Sequence, residues 1–437
     1  MALNSEPPEL EKQLYYHGLP SCPQLVARSN FLASWQPEFE DEHPKIKHIS
    51  NVGSHDIVNK YDASLRDKII TRLGSTEWTS IDVVRIGYSG SHADPVILWI
   101  GVAPGSLASQ TGLEIALGCR SELRRAGLHV HCEIREAMVK SLAAVTVIPH
   151  QDPEGVDRPI SLTSVLGGQS IAGEETSAAE GTLSVYLSLG EGESRIKCAL
   201  ISRYVVFQDD DRRYLHHNNS AEYVIMPGQT TFGEICTEGN EHAAFWQSQG
   251  NKYKAQSDVT NQLNAHLGSL KDTASRRIGH ILFSPPRLPQ SHPDSSDLWL
   301  PDYALVLLDR DRFGPDYDKL SNTLWVGQPA YDDVKKMNRG KPFEGVSNEI
   351  QSVLRAKANG QWCYVQQWVI IALGDKSFCQ KGDSGSAIWD LDGKIGGIID
   401  GGSGGQIPQL DLTYATPTAW ILKDIEQKFP YGPVSLL

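Results

Sequence analysis

The stretch Cys379-Gln380-Lys381-Gly382-Asp383-Ser384-Gly385-Ser386-Ala387-Ile388-Trp389 continues through Asp390-Leu391-Asp392-Gly393-Lys394 into Ile395-Gly396-Gly397-Ile398-Ile399-Asp400-Gly401-Gly402, and it decides how the chain is read. Glycines bracket a polar turn at 382–385, an apolar run follows, and a second β-branched run ends in a glycine cluster at 401–405. This is the pattern of a tight turn feeding a hairpin, because glycine enters tight turns at no steric cost and Ile favours strands. The cluster at 401–405 lacks the lysine and following helix of a phosphate-cradling loop, so it reads as the rim of a pocket.

Working outward, strands dominate on both sides. SVLGGQSIAG, GTLSVYLSLG, RIKCALISRYVVF and EYVIMPG are short glycine-punctuated runs, and RIGHILFSP, YALVLLD, LWVGQ and WCYVQQWVIIAL continue the pattern as far as the 379–402 stretch. Such spacing predicts a barrel or Greek-key architecture. It is interrupted by a helical insertion, QSDVTNQLNAHLGSLKDTASRR, and closed by an amphipathic helix, TAWILKDIEQKF. Nearer the N-terminus, DASLRDKIITRL and SQTGLEIALGCRSELRRAG have helical spacing, whereas IDVVRIGY, PVILWIGV and HVHCEIRE read as strands. The expected organisation is a proline-rich arm with no fold of its own (1–55), a small α/β domain (56–143), a Pro- and acid-rich linker (144–158), and a large β-rich domain (159–437).

Composition narrows the function classes. A chain of 437 residues exceeds one ordinary core at about 150 residues per domain. A net charge of -13 argues against nucleic-acid and anionic-membrane partners, which need Lys and Arg to neutralise phosphate. Seven scattered cysteines without a CxxC pair signal neither a disulfide framework nor a zinc site, and no cofactor or metal is expected. The acidic run 208–211 lacks EF-hand spacing and reads as a solvated loop. The polar, acidic N-terminus has no apolar signal stretch, and no apolar run reaches about eighteen residues, so a cytoplasmic protein is expected.

Taken together, the 379–402 stretch resembles the trypsin and chymotrypsin family of serine peptidases. The resemblance implies an α+β chain whose large domain is a trypsin-like, mostly antiparallel double β-barrel with helical insertions. It makes Ser384 the nucleophile, Gly382 and Ser384 the amides of the oxyanion hole, and Asp383 the support of that loop. Phe378, Cys379, Asp400, Gly401 and Gly402 then border the substrate pocket; Phe378 and Cys379, near its base, offer no buried charge to pair with a Lys or Arg side chain, so the preference leans apolar. Upstream, Asp302-Tyr303-Ala304-Leu305-Val306 resembles the family's aspartate motif, with Asp302 as the orienting carboxylate. The histidine motif is matched by Ala199-Leu200-Ile201-Ser202-Arg203-Tyr204-Val205-Val206-Phe207, similar to the LTARHVVF element of large intracellular fungal trypsin-like proteins, with Tyr204 at the histidine position. Residues 62–137 resemble the N-terminal region of the same group, including Ile81-Asp82-Val83-Val84-Arg85 and Glu133-Ile134-Arg135-Glu136.

Tyrosine titrates near ~10 and cannot take the serine proton and return it to a leaving amine as imidazole does. Loss of one triad member costs on the order of a thousandfold or more. The reading is therefore a peptidase-fold protein that is catalytically impaired and binds a peptide or protein ligand. The alternative is an active serine endopeptidase with a non-standard base, for which His216, His217 and His280 are the candidates. A third reading makes the GDSG coincidental in a β-rich interaction protein, and then Ser384 and Asp302 lie far apart. No clear activation sequence precedes the barrel.

Overall fold

The computed structural model describes residues 6–437 except 41, 89–93, 143–168, 177–178, 193–194, 208–212, 217–220, 292–296, 323–344, 359, 375, 391 and 430. The expected linker 144–158, the LWVGQ strand, the acidic run and His217 lie outside the described residues.

The N-terminal unit is built around a parallel pair. Strands β1 (Leu25–Arg28), β2 (Lys47–Ser50), β3 (Trp78–Tyr88), β4 (Val96–Val102) and β5 (His131–Glu136) carry helices α1 (Ala63–Leu73) and α2 (Ser109–Arg125). Helix α1 starts where the Asp62 carboxylate accepts the Leu65 amide, and it buries Leu65, Ile69 and Leu73 on one face. Helix α2 is the crossover that lets β4 and β5 run parallel, burying Leu113, Ala116, Cys119 and Leu123 against the sheet. The arm 1–55, expected to carry no fold, contributes β1 beside β5 and β2 beside β3. All four residues of β1 are buried, which outweighs the prolines around it.

A closed barrel follows. Strands β6 (Met138–Ser141), β7 (Ser170–Gly173), β8 (Glu180–Leu189), β9 (Ile196–Ile201), β10 (Tyr223–Ile225), β11 (Arg277–Ser284) and β12 (Ala304–Leu308) come next along the chain. The last six close as β7-β8-β9-β12-β11-β10 and back to β7, every pair antiparallel. The inward faces meet in a core of Ile171, Leu183, Ala199, Val224, Ile281 and Val306. Two helices are inserted between β10 and β11, α3 (Gln229–Ser248) and α4 (Lys254–Ser269).

The remaining strands form a curled half-barrel: β13 (Gly345–Ser347), β14 (Ser352–Ala358), β15 (Gln361–Ala372), β16 (Ala387–Trp389), β17 (Ile395–Gly404) and β18 (Leu412–Pro417), followed by helix α5 (Thr418–Lys428). Strand β14 also pairs with β3, so the half-barrel and the N-terminal unit share one sheet in the order β1-β5-β4-β3-β14-β15-β18-β17-β16. The chain is thus α+β, with a closed six-strand antiparallel barrel packed on a curled sheet through Leu187, Leu200, Leu305, Ile398 and Ile421. Among the described residues, no helix is long and apolar enough to cross a membrane.

The junction of unit and half-barrel is polar and fully buried. Asp82 on β3 accepts from Ser80 (2.8 Å), Ser352 (2.5 Å) and Tyr414 (2.9 Å), and pairs with Arg135 at 3.3 Å. The same Arg135 nitrogen donates to the Ser403 hydroxyl on β17 at 3.0 Å, and the guanidinium lies over the Trp99 ring. Removing one partner of a buried pair strands the other charge, which costs about 3–5 kcal/mol. Arg135→Met is expected to lose about that much stability in urea unfolding, and Asp82→Asn added to it to restore a good part. A single variant within about 1 kcal/mol of wild type contradicts the assignment.

Candidate functional site

The site lies where barrel and half-barrel meet. The β9–β12 register places Ile201 opposite Ala304, so the residues that leave these strands, Ser202 and Asp302, face each other across the barrel end. Ser202 Oγ donates to Asp302 Oδ2 at 3.1 Å, and the Tyr204 amide donates to Asp302 Oδ1, also at 3.1 Å. From the half-barrel, Ser384 Oγ donates to Ser202 Oγ at 3.3 Å, and the Ser384 side chain is fully buried. Ser384 and Asp302, 82 positions apart in sequence, thus belong to one chain of hydroxyls and carboxylate.

The 379–386 turn is held from several directions. The Asp383 carboxylate accepts the Gln380 amide at 2.8 Å, closing the turn on itself. Thr182 of β8 donates its amide to the Ser384 carbonyl (2.9 Å) and its hydroxyl to the Gly382 carbonyl (2.9 Å). Two glycines permit this approach. A Cβ on Gly181 would meet the Ser384 carbonyl oxygen at 2.9 Å, and Gly385 has φ of 87° with the Thr182 carbonyl oxygen 2.6 Å from where its Cβ would be. Gly385 and Ser386 are tied in turn to Ile399 of β17 by two backbone hydrogen bonds of 2.9 Å.

Tyr204 begins from the backbone position next to Asp302, partly exposed, but the hydroxyl that reaches Ser384 belongs to Ser202. Ser202 was missed in the sequence. Its signal is a hydroxyl where the LTARHVVF element has alanine, two positions before the tyrosine. Of the candidate bases, His216 and His280 lie ring to ring with centroids 4.4 Å apart, His216 following the short pair Tyr214–Leu215 that binds the end of β11. Burial and the His216 ring hold His280 below the ordinary histidine range.

Of the expected pocket residues, Phe378 and Cys379 are gathered with an occupant, and Gly401 and Gly402 lie along it, whereas the Asp400 side chain is directed to Thr416. Cys379 is buried with Ile399 and Leu410, Phe378 and Ile388 pack against them, and Leu142 inserts among these side chains. Burial pushes the Cys379 thiol up to about 12, so it acts as an apolar wall. The Gly382 amide, one of the two expected oxyanion donors, donates to the Leu142 carbonyl at 2.6 Å. Strand β6, which leads to Leu142, pairs antiparallel with the glycine end of β17, with Ser141 opposite Gly401 and Lys140 opposite Gly402. Nothing in residues 138–142 marked them beforehand, because their partners lie some 260 positions away.

Asp400 is the other ionisable group of the site. Burial, and then the Asp302 charge, raise it from an ordinary 3.8 to about 8, against the hydrogen bond from Thr416 (2.5 Å) and the nearby Arg287. Among the described residues, no group of three His, Cys, Asp or Glu converges as a metal site would require, and the seven cysteines are free. No family model matches the chain, and no curated protein matches it.

The raised Asp400 value carries a sign. Between pH of about 4 and 8 the folded chain holds a proton there that the unfolded chain has released, so this residue's contribution falls as pH rises through that window and is level above it. Asp400→Asn is expected to gain on wild type in unfolding midpoint between pH 5 and pH 8; a difference independent of pH contradicts the assignment.

Proposed function

We propose that the large domain, 159–437, is a trypsin-like serine peptidase domain of double-barrel type that is catalytically impaired and works by binding an extended peptide. The observation that carries the reading is the link from Ser384 through Ser202 to Asp302, made by residues that flank strands of two different sheets. It argues against a coincidental GDSG, for which nothing requires the serine to meet this aspartate. The Asp383-closed turn and the pocket of Cys379, Ile399 and Leu410 beside it are further support.

The same link argues for impairment. Ser202 is a hydroxyl and cannot keep a proton taken from Ser384, and the link from Ser202 to Asp302 contains no imidazole to take that proton and return it to a leaving group. Tyr204 adds no imidazole, and His216 is engaged with His280. What the site retains is suited to recognition: a backbone amide turned toward a carbonyl, a strand edge, and an apolar pocket.

Labelling with a fluorophosphonate probe tests this without a known substrate. Wild type, Ser384→Ala and Tyr204→His/Leu142→Gly are compared, the last supplying an imidazole and clearing the pocket. Wild type is expected to remain unlabelled, with label gained in the double variant. Labelling of wild type that disappears in Ser384→Ala overturns the impaired reading in favour of an active endopeptidase with another base.

A further inference from the structure

We infer that the groove between the 378–384 turn and the glycine edge of β17 is a binding site for an extended peptide bearing a large aliphatic residue, and that residues 138–142 of the chain are its resident occupant. The inference deepens the peptide-binding reading above and rests on it.

The edge is built to receive a strand. Strand β16 pairs with β17 only over Ile395, Gly397 and Ile398, while β18 covers the opposite edge through Ser403. This leaves one edge of Gly401–Gly404 for β6, which takes it in four consecutive antiparallel positions. An unpaired edge of this kind is a ready template for a peptide backbone, whose pairing runs in the plane of the sheet. Side-chain contacts add to the backbone pairing at two points. Lys140 donates its ammonium to the carbonyls of Gly405 (2.8 Å) and Ile407 (2.7 Å), and Leu142 is 3% exposed in its pocket.

The manner in which this strand ends distinguishes a ligand from an ordinary sheet member. Beyond the last paired residue, the chain turns its carbonyl onto the Gly382 amide at 2.6 Å, two residues from Ser384, and its side chain into the pocket in front of that turn. Main-chain pairing supplies affinity in such a mode and the pocket supplies choice of side chain. The wall of Cys379, Ile399, Leu410, Phe378 and Ile388 offers no charge to pair, so a charged side chain at that position is excluded by the cost of burying it. Met138 and Val139, by contrast, are exposed, and the groove places little demand on them.

A peptide from outside must therefore displace β6. Full-length wild type, Leu142→Gly and Lys140→Ala are mixed with a fluorescein-labelled Met-Val-Lys-Ser-Leu amide and followed by anisotropy. Leu142→Gly, with the pocket emptied, is expected to bind at least about tenfold tighter than wild type. Lys140→Ala, which leaves the pocket filled and touches no buried core, is expected to fall between the two and keeps the test open if Leu142→Gly does not fold. A peptide with the leucine replaced by glutamate is expected not to bind any of them. Equal binding by all three proteins, no binding by any, or equal binding of the leucine and glutamate peptides overturns the inference and leaves β6 a plain structural strand. A labelled wild-type Ser384 overturns the impaired reading alone, so the two failures are separable.

Discussion

The hydrogen bond from the Gly382 amide to the Leu142 carbonyl joins two parts of the chain that have no sequence reason to meet. It fixes the end of β6, and with it the position of Leu142 in the pocket and the pairing of residues 138–141 along β17. The buried state of Ser384 is of a piece with this arrangement: the hydroxyl points to Ser202 under a cleft that is already filled. A backbone amide buried without a partner costs roughly 1–3 kcal/mol, so some acceptor is needed at Gly382, and this chain supplies its own.

The N-terminal unit is what delivers that acceptor. Its last strand, β5, is separated from β6 by the single residue Ala137, so the placement of β5 leaves β6 little freedom. Strand β5 is in turn anchored along one face, Glu133 by the hydroxyls of Tyr15 (2.7 Å) and Tyr16 (2.8 Å), and Arg135 by Asp82 and Ser403. The continuity of one sheet from β1 through β14 to β16 makes unit and half-barrel a common scaffold. The segments IDVVR and EIRE, which drew the resemblance in the N-terminal region, are the ones that hold this junction, and through Ser403 they reach the strand that lines the groove.

Local periodicity and capping were sufficient to read much of the fold. Helices α1 and α2, the buried run of β4, the barrel strands around Ala199 and Val306, and the closing helix α5 follow from patterns within each segment. Helix α3 was not legible, because QTTFGEICTEGNEHAAFWQS mixes threonines with two glycines, and one of them, Gly239, is needed for close packing against Asn264 of α4. Strand β1 was hidden for a related reason: four residues between prolines carry no period, and its burial comes from β5 and the sheet beyond. At the site, Ser384, Asp302, Phe378 and Cys379 were singled out from a motif, whereas Ser202 and Leu142 were not. Their roles arise from register, β9 against β12 and β6 against β17, which no local pattern encodes.

Hydrogen exchange of the Gly382 amide in the wild-type chain, followed by nuclear magnetic resonance, addresses the self-filled groove most directly. The amide lies in a turn flanked by the exposed Gln380 and Lys381, where an unoccupied donor exchanges quickly. Slow exchange, comparable to amides of β17, is the expected result, because Leu142 covers the Gly382 amide. Rapid exchange at Gly382 while the β17 amides stay protected contradicts the self-filled groove, since the groove would then stand open in solution.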